Sequence, residues 1–410
     1  MLPWLMRGTS GPLARTSLSC RPSLEEAVRE VCSGLADAGE ADLALVFASS
    51  SYASDLPRLL PLLRRQLRAR CWLGAVGGGV VGTDRDGNAR EVEQLPGLSV
   101  SLLRLPGAEL TPFRLSSGEL PDLDGPHAAW GEALGLDPER LTGMVLLVDP
   151  GFAGINDLLA GLDYGFPGIT KVGGLAGIHS APHDSLLWDQ EVCGGAVGVA
   201  FGGAWAIEPV VAQGCRPIGP VFEVEQAQRN VLLELRQGDQ VNSPILALQG
   251  VIEELNPQDR ELIRQALFVG LARSSFSLRT TGETPPFLVR NLMGIDPRNG
   301  AMAIGDQLRV GQRLQFQLRD GDTSRQELRQ LLEQRAREGE TPLMGLLFAC
   351  LGRGRSLYGS ADVDVTVCRA VHPSLPVAGL FCNGEIGPVA GSTQLHGYTA
   401  SWGFVVPRTA

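Results

Sequence analysis

One pattern, met three times, limits what this chain can fold into. "ADLALVFAS" (41–49) is a short, almost wholly apolar run. A run of that length and composition is a strand buried on both faces. An amphipathic helical stretch follows at 55–70, then "CWLGAVGGGVVG" (71–82), a strand running into a glycine loop. The same order of strand, helix, strand and glycine loop reads through 141–177 and again through 342–387. Two of the copies align at their ends: Leu45–Ser49 with Leu346–Cys350, and Gly74-x-x-x-x-Gly79 with Gly379-x-x-x-x-Gly384. Strands joined by a helix run parallel, because the crossover returns the chain to the same end of the sheet. The expected fold is therefore α/β: duplicated mixed-sheet halves with helices packed on large sheets, arranged as a layered α-β-β-α sandwich. The pattern changes near "PVFEVEQAQRNVLLEL" (220–235). The expected division is an extension over 1–22, a first domain over 23–225 and a second over 226–405.

Local signals fill in the remainder. "PSLEEAVREVCSGLADAG" (22–39) predicts a helix, with Ser23 at its start, Glu25 and Glu26 in its first turn and Gly39 as its stop. Residues 324–339 predict a polar amphipathic helix, and 287–321 a strand meander with turns at Asp296–Gly300 and Val310-Gly311.

Composition excludes several functions. The net charge of −10 repels phosphate backbones, which argues against nucleic acid as a partner. The chain has one lysine, Lys171, and Val172 follows it, so no phosphate-binding G-x-x-x-x-G-K-[ST] loop exists. The eight cysteines contain no C-x-x-C, which argues against a zinc site and a disulfide framework and for reduced thiols in the cytoplasm. No apolar run approaches the roughly 18 residues that span a bilayer, so no membrane partner is expected. Residues 1–20 carry Arg7 and Arg15 and no acid, the composition of a weak organelle-targeting segment.

Most short motifs lack the context their chemistry needs. Gly77–Gly82 satisfies G-x-G-x-x-G, but a turn at Asp84–Gly87 follows where a dinucleotide site needs a helix. His179 and His183 have metal-ligand spacing, but Pro182 between them makes the segment a loop. Asp362-Val-Asp364 resembles a phosphatase nucleophile motif without its preceding strand or its lysine, and reads instead as a helix start. No metal and no cofactor are expected.

Taken together, "RDGDTSRQEL", "LLFACLGRG", "GLFCNGEIGP" and "LHGYTASWGF" resemble the C-terminal FIST domain, and "ADLALVFAS…GAVGGGVVG" with "MVLLVDPG…TKVGGLAG" is similar to the N-terminal FIST domain. The resemblance spans roughly 24–405. It implies a cytoplasmic sensory module that binds small ligands such as amino acids and signals through a protein partner. Against the family's usual pattern this chain has Ala349, Leu351 and Val80, which leaves Glu385 as the only acid in the two aligned loops. The expected ligand site draws on Lys171 beside Gly173 and Gly174, on Arg290, Asn291, Arg319 and Asp320, and on Cys350, Arg353, Asn383, Gly384, Glu385 and His396. In it Arg353 takes a carboxylate, Glu385 takes an ammonium or fixes its loop, and the glycines admit the ligand to the backbone. Two alternatives stay open: a hydrolase or transferase with Cys350 or Cys382 as nucleophile and His396 as base, and a non-catalytic interaction scaffold.

Overall fold

The computed structural model describes residues 11–272 and 287–408. They form two compact units, Met1–Ala212 with Leu328–Ala410, and Gln213–Glu327. Mixed α/β architecture holds. A break at 225/226 falls inside a strand of the second unit, Cys215–Gln228, and part of the expected extension, Leu13–Ser19, is itself a strand. The targeting reading of residues 1–20 lies half outside the described residues.

The first unit repeats one order three times. The first repeat runs β1 (Leu13–Ser19), α1 (Leu24–Gly34), β2 (Glu40–Ser49), α2 (Leu56–Arg64), β3 (Arg68–Gly77), β4 (Gly79–Thr83), β5 (Ala89–Glu93) and β6 (Leu98–Arg104). The second runs β7 (Ala108–Leu115), α3 (Ala128–Leu134), β8 (Leu141–Val148), α4 (Ile155–Gly165), β9 (Lys171–Leu175), β10 (Leu186–Trp188), β11 (Glu191–Cys193) and β12 (Ala196–Gly203). The third opens with β13 (Trp205–Ala212), and the whole second unit is then inserted in the chain. That unit holds β14 (Cys215–Gln228), β15 (Val231–Gln237), β16 (Gln240–Asn242), α5 (Pro244–Glu254), α6 (Pro257–Ala266), β17 (Leu267–Ala272), β18 (Phe287–Ile295), β19 (Met302–Ile304) and β20 (Arg313–Arg319). The third repeat resumes through α7 (Gly321–Glu338), β21 (Met344–Cys350), α8 (Arg355–Tyr358), α9 (Val363–Val371), β22 (Val377–Cys382), β23 (Glu385–Val389), β24 (Ser392–His396) and β25 (Ala400–Pro407). The two copies aligned in the sequence are the first and third of these repeats.

Each repeat builds a sheet around a parallel pair: β2 with β3, β8 with β9, β21 with β22. Each then gives away a hairpin. β4 and β5 complete the sheet of the third repeat, β10 and β11 that of the first, and β23 and β24 that of the second. The exchange is cyclic, and three six-stranded sheets result. Alternation along the strands explains the packing. Leu43, Leu45 and Phe47 face one core shared with Val145, Leu147, Leu346 and Phe348 from the other sheets. Ala44, Val46 and Ala48 point outward beneath α1 and α2. The sheets thus enclose a common core, with helices on their outer faces, and the expected two-layer sandwich gives way to three sheets. Phe47 and Phe348 meet edge to face at 6.2 Å inside it.

The inserted unit is a barrel. Strands pair in the order β14-β20-β17-β18-β19-β15, and β15 pairs back to β14. Phe222, Val224, Val269, Leu271, Leu314, Phe316 and Leu318 fill it. The turn expected at Asp296–Gly300 is present, with the Gly300 N–H donating to Asp296 O at 2.8 Å.

Candidate functional site

Equivalent positions in the three repeats separate scaffold from chemistry. Val46 lies opposite Gly74, Leu146 opposite Gly173, and Leu347 opposite Gly379 in the three parallel pairs. A Cβ on those glycines would fall 2.0, 1.7 and 1.8 Å from the carbonyl oxygens of Val46, Leu146 and Leu347. The glycines exist so that two strands can approach closely. Four residues on, the three loops lock together. Gly78 N–H donates to Phe381 O at 3.1 Å, Gly177 N–H to Val76 O at 2.7 Å and Asn383 N–H to Leu175 O at 3.0 Å. The backbones of the glycine loops therefore bind one another, which corrects their reading as a ligand cradle. Gly174 is likewise filled: a Cβ there would sit 2.4 Å from Cys382 Sγ. A Cβ on Gly384 would meet Leu395 Cδ1 at 2.9 Å.

Side chains differ among the repeats where the backbone does not. The parallel strands β2, β8 and β21 lead into Ser49, Asp149 and Cys350, whose N–H groups donate to Gly97, Gly195 and Thr399 respectively. Ser49 Oγ accepts from Gly97 N–H, and Asp149 accepts from Gly151 and Ser185 N–H, so both anchor loops. At the next shared position stand Val80, Leu186 and Glu385, each opposite the residue that follows the close-approach glycine. Two are apolar, and the third is a fully buried carboxylate whose Oε2 accepts the Thr399 N–H at 3.0 Å. Its cross-strand neighbour is His396, with Nε2 3.1 Å from Gly387 O, so this histidine ties its hairpin together. Cys382 ends β22 beside Glu385. Burial, then Glu385 and then Cys350, push its thiol well above the ordinary range, so it rests as a protonated thiol and attacks only if a base takes its proton.

Other expected residues have structural partners. Arg353 is fully buried and forks onto Asp364, Nε to Oδ2 at 2.7 Å and Nη2 to Oδ1 at 2.8 Å. Nη2 also donates to Tyr358 Oη at 2.6 Å, and Tyr358 Oη donates to Asp364 at 2.8 Å. The carboxylate that Arg353 takes is thus the protein's own. Lys171 is fully buried too, with Nζ 2.9 Å from Asp163 Oδ1 and 2.8 Å from Phe166 O, although burial lowers its pKa. Asp163 in turn accepts from Thr393 N–H and Oγ1, so this pair pins α4 to β9 and β24. Arg290, Asn291, Arg319 and Asp320 belong to the inserted unit. There Arg290 pairs with Asp306 at 2.8 Å, Asn291 faces Phe268, and Arg319 is a buried residue at the end of β20. Asp320 starts α7. Burial alone would raise its pKa, but bonds from Thr323 and Arg216 hold it below the usual range.

Beside this committed cluster lies an open cavity of about 420 Å³. Gly78, Leu351 and Phe381 form its apolar wall, and Glu93, Gln94, Arg355 and Ser356 its polar one. It sits at the carboxyl ends of β21 and β22, where open parallel sheets commonly hold ligands. Sequence reasoning missed Glu93 because it is 262 residues from Arg355, whose N–H its Oε1 accepts at 3.0 Å. Only the hairpin exchange brings them together. Burial raises the Glu93 pKa, with the Arg355 N–H bond opposing. Behind it Glu91 is buried, accepts the Val365 N–H at 2.9 Å, and is pushed well above the carboxylate range by burial and then by Asp364. The Arg355 side chain makes no ion pair within 4 Å among the described residues and is exposed to the cavity. A second cleft of about 560 Å³ is lined by Ser17 and Leu18 at the end of β1, by Arg21, by α1 and by Arg85. Among the described residues no group of acids, histidines and cysteines could hold a metal, and no helix is long and apolar enough to cross a membrane.

The FIST N domain model matches residues 42–237 and the FIST C domain model residues 247–388. An uncharacterized protein of Mycobacterium tuberculosis (strain ATCC 25618 / H37Rv) is 34% identical over 374 residues, covering 90% of this chain and 92% of its own. An uncharacterized protein of Mycobacterium bovis is 36% identical over 265 residues, 64% and 67% of the two chains. F-box only protein 22 of Pongo abelii is 37% identical over 70 residues, 16% of this chain and 17% of its own. The crystal structure of cyanuric acid hydrolase from A. caulinodans aligns over 97% of this chain and 100% of that one, with 9% identity and a TM-score of 0.32.

Proposed function

Because this chain belongs to the FIST family and carries both its N and C domains, we propose that it is a non-catalytic, small-ligand-binding sensory protein of the cytoplasm. In this reading its ligand is an amino acid or a close relative, and it signals through a protein partner. One observation carries the proposal: the cavity presents a cation and a carboxylate beside an apolar wall. That is the complement of a zwitterion with a side chain. Arg355 takes the ligand carboxylate, Glu93 its ammonium, Ser356 and Gln94 supply hydrogen bonds, and Leu351 and Phe381 cover the side chain. This moves the ligand contacts from Arg353 and Glu385, which have internal partners, to Arg355 and Glu93. An ammonium favours the ionised form of Glu93, so affinity falls as pH drops through the raised pKa of that carboxyl.

A thermal-shift series with free amino acids tests it, since a ligand that binds only the native state raises Tm. The expected result is a rise with one chemical subset of amino acids. Arg355→Ala weakens that ligand about ten- to a hundredfold, the worth of a charged hydrogen-bonded contact. A shift that Arg355→Ala leaves intact, or no shift at millimolar ligand, refutes the assignment.

A further inference from the structure

We propose that Cys350 and Cys382 are a reversible redox pair that closes to a disulfide across the ends of β21 and β22. The two residues are register partners on adjacent parallel strands. By alternation from Leu346, Phe348, Ala378 and Leu380, both lie on the side of the sheet that faces the shared core. Neighbouring strands run about 4.8 Å apart, within the roughly 4.4–6.8 Å between Cα atoms that a disulfide bridges. Each cysteine is the last residue of its strand, so the turns that follow can absorb the adjustment. No disulfide joins the eight cysteines as they stand, and no other two of them face each other in the strand registers of the described residues.

The environments divide the roles. Cys350 is half-buried, and the Gly352 N–H donates to its Sγ at 3.4 Å, a contact that favours the thiolate. It is the thiol a solute can reach. Cys382 is fully buried next to Glu385. The oxidant is a hydroperoxide. The Cys350 thiolate attacks one peroxide oxygen, the O–O bond breaks, and the leaving oxygen departs as hydroxide or alkoxide, leaving a sulfenic acid. The Cys382 thiol then passes its proton to Glu385, and its sulfur attacks Cys350 Sγ. The S–S bond forms, the S–O bond breaks, and the departing oxygen takes up that proton and leaves as water. One hydroperoxide and two thiols thus become one disulfide, one water and one alcohol or second water. Glu385, the single acid among Val80, Leu186 and Glu385, gains a role here as the acceptor of the resolving proton.

The pair stands whether or not the cavity binds amino acids. Its consequence for the cavity rests on that reading: Leu351 and Phe381, the chain neighbours of the two cysteines, form the apolar wall. Closing the disulfide re-aims both side chains and changes ligand affinity.

The test uses the full chain in a Cys20→Ser, Cys215→Ser background, which removes the other accessible thiols. The protein is treated with stoichiometric hydrogen peroxide, then read by intact mass and by non-reducing tryptic mapping, which cuts between the two cysteines at Arg353, Arg355 and Arg369. The expected result is a loss of two hydrogens and a peptide linking Cys350 to Cys382, both reversed by dithiothreitol. Cys382→Ala is expected to stop at a sulfenic acid on Cys350 that dimedone traps. Glu385→Gln is expected to slow closure about a hundredfold, as loss of a general base does. Over-oxidation of Cys350 with Cys382 still a thiol, or no reaction at either cysteine, overturns the pair in the parent protein itself. A linked peptide in a protein that shows no amino-acid shift, reduced or oxidised, upholds the pair and removes the ligand reading.

Discussion

The corner after β3 and the corner after β22 share one backbone and differ in nearly all their chemistry. Both follow a glycine pressed against a neighbouring carbonyl, Gly74 on Val46 and Gly379 on Leu347. Both donate a loop N–H into the ring of three hydrogen bonds that joins the repeats. The first then presents Gly77, Gly78 and Val80, and the second Cys382, Asn383 and Glu385. A pattern of glycines shared by two copies therefore reports how strands pack. Function has to be sought where the copies disagree, and they disagree at the strand ends of the third repeat.

The shared half of this comparison breaks with the largest effect. Gly379→Ala places a methyl 1.8 Å from Leu347 O, a clash with backbone that no rotamer relieves. The expected cost is about 4 kcal/mol or more, or no folded protein at all. Gly397→Ala in the same repeat has nothing within 4 Å of its Cβ and is the matched control, expected near neutral. Denaturant unfolding of the two variants checks both; a stable Gly379→Ala protein would mean the glycine answers to something other than strand approach.

Swapping the differing residues has smaller and unequal effects. Val80→Glu buries a carboxylate in a site evolved for an alkyl group, with an expected loss of about 3 kcal/mol or more. Glu385→Val removes a buried carboxylate but strands the Thr399 N–H, and the two terms offset to within about 1 kcal/mol. Equal costs for the two swaps, measured by the same unfolding curves, would show that Glu385 holds the fold rather than marking the third repeat's chemistry.

How far the sequence reaches follows from the same comparison. Buried strands, crossover helices and the glycine corners are local in sequence, and 41–49, 141–148 and 342–350 carry them plainly. The third repeat is harder to recognise because residues 213–327 separate β13 from the rest of it. The hairpin exchange has no sequence signature: nothing in "TDRDGNAREVEQ" says that Glu91 and Glu93 will pack against α9 and Arg355. Arg353 reads as a ligand hand because a charged residue in a glycine-rich loop usually faces solvent, and its partner Asp364 reads as a helix start. Lys171 reads as a loop cation for the same reason, since Asp163 lies on the preceding helix and only the packing of α4 on β9 buries the pair. Arg355 stands two residues past Arg353, and nothing local in the sequence marks it as a cavity wall.

A crystal structure of the protein soaked with the amino acid that gives the largest thermal shift tests the central claim most directly. The expected density has the ligand carboxylate within hydrogen-bonding distance of the Arg355 guanidinium and the ammonium at Glu93, with the side chain on Leu351 and Phe381. Ligand density at the corresponding corners of the first or second repeat, or in the cleft beside α1, with the Arg355 cavity empty, would contradict it.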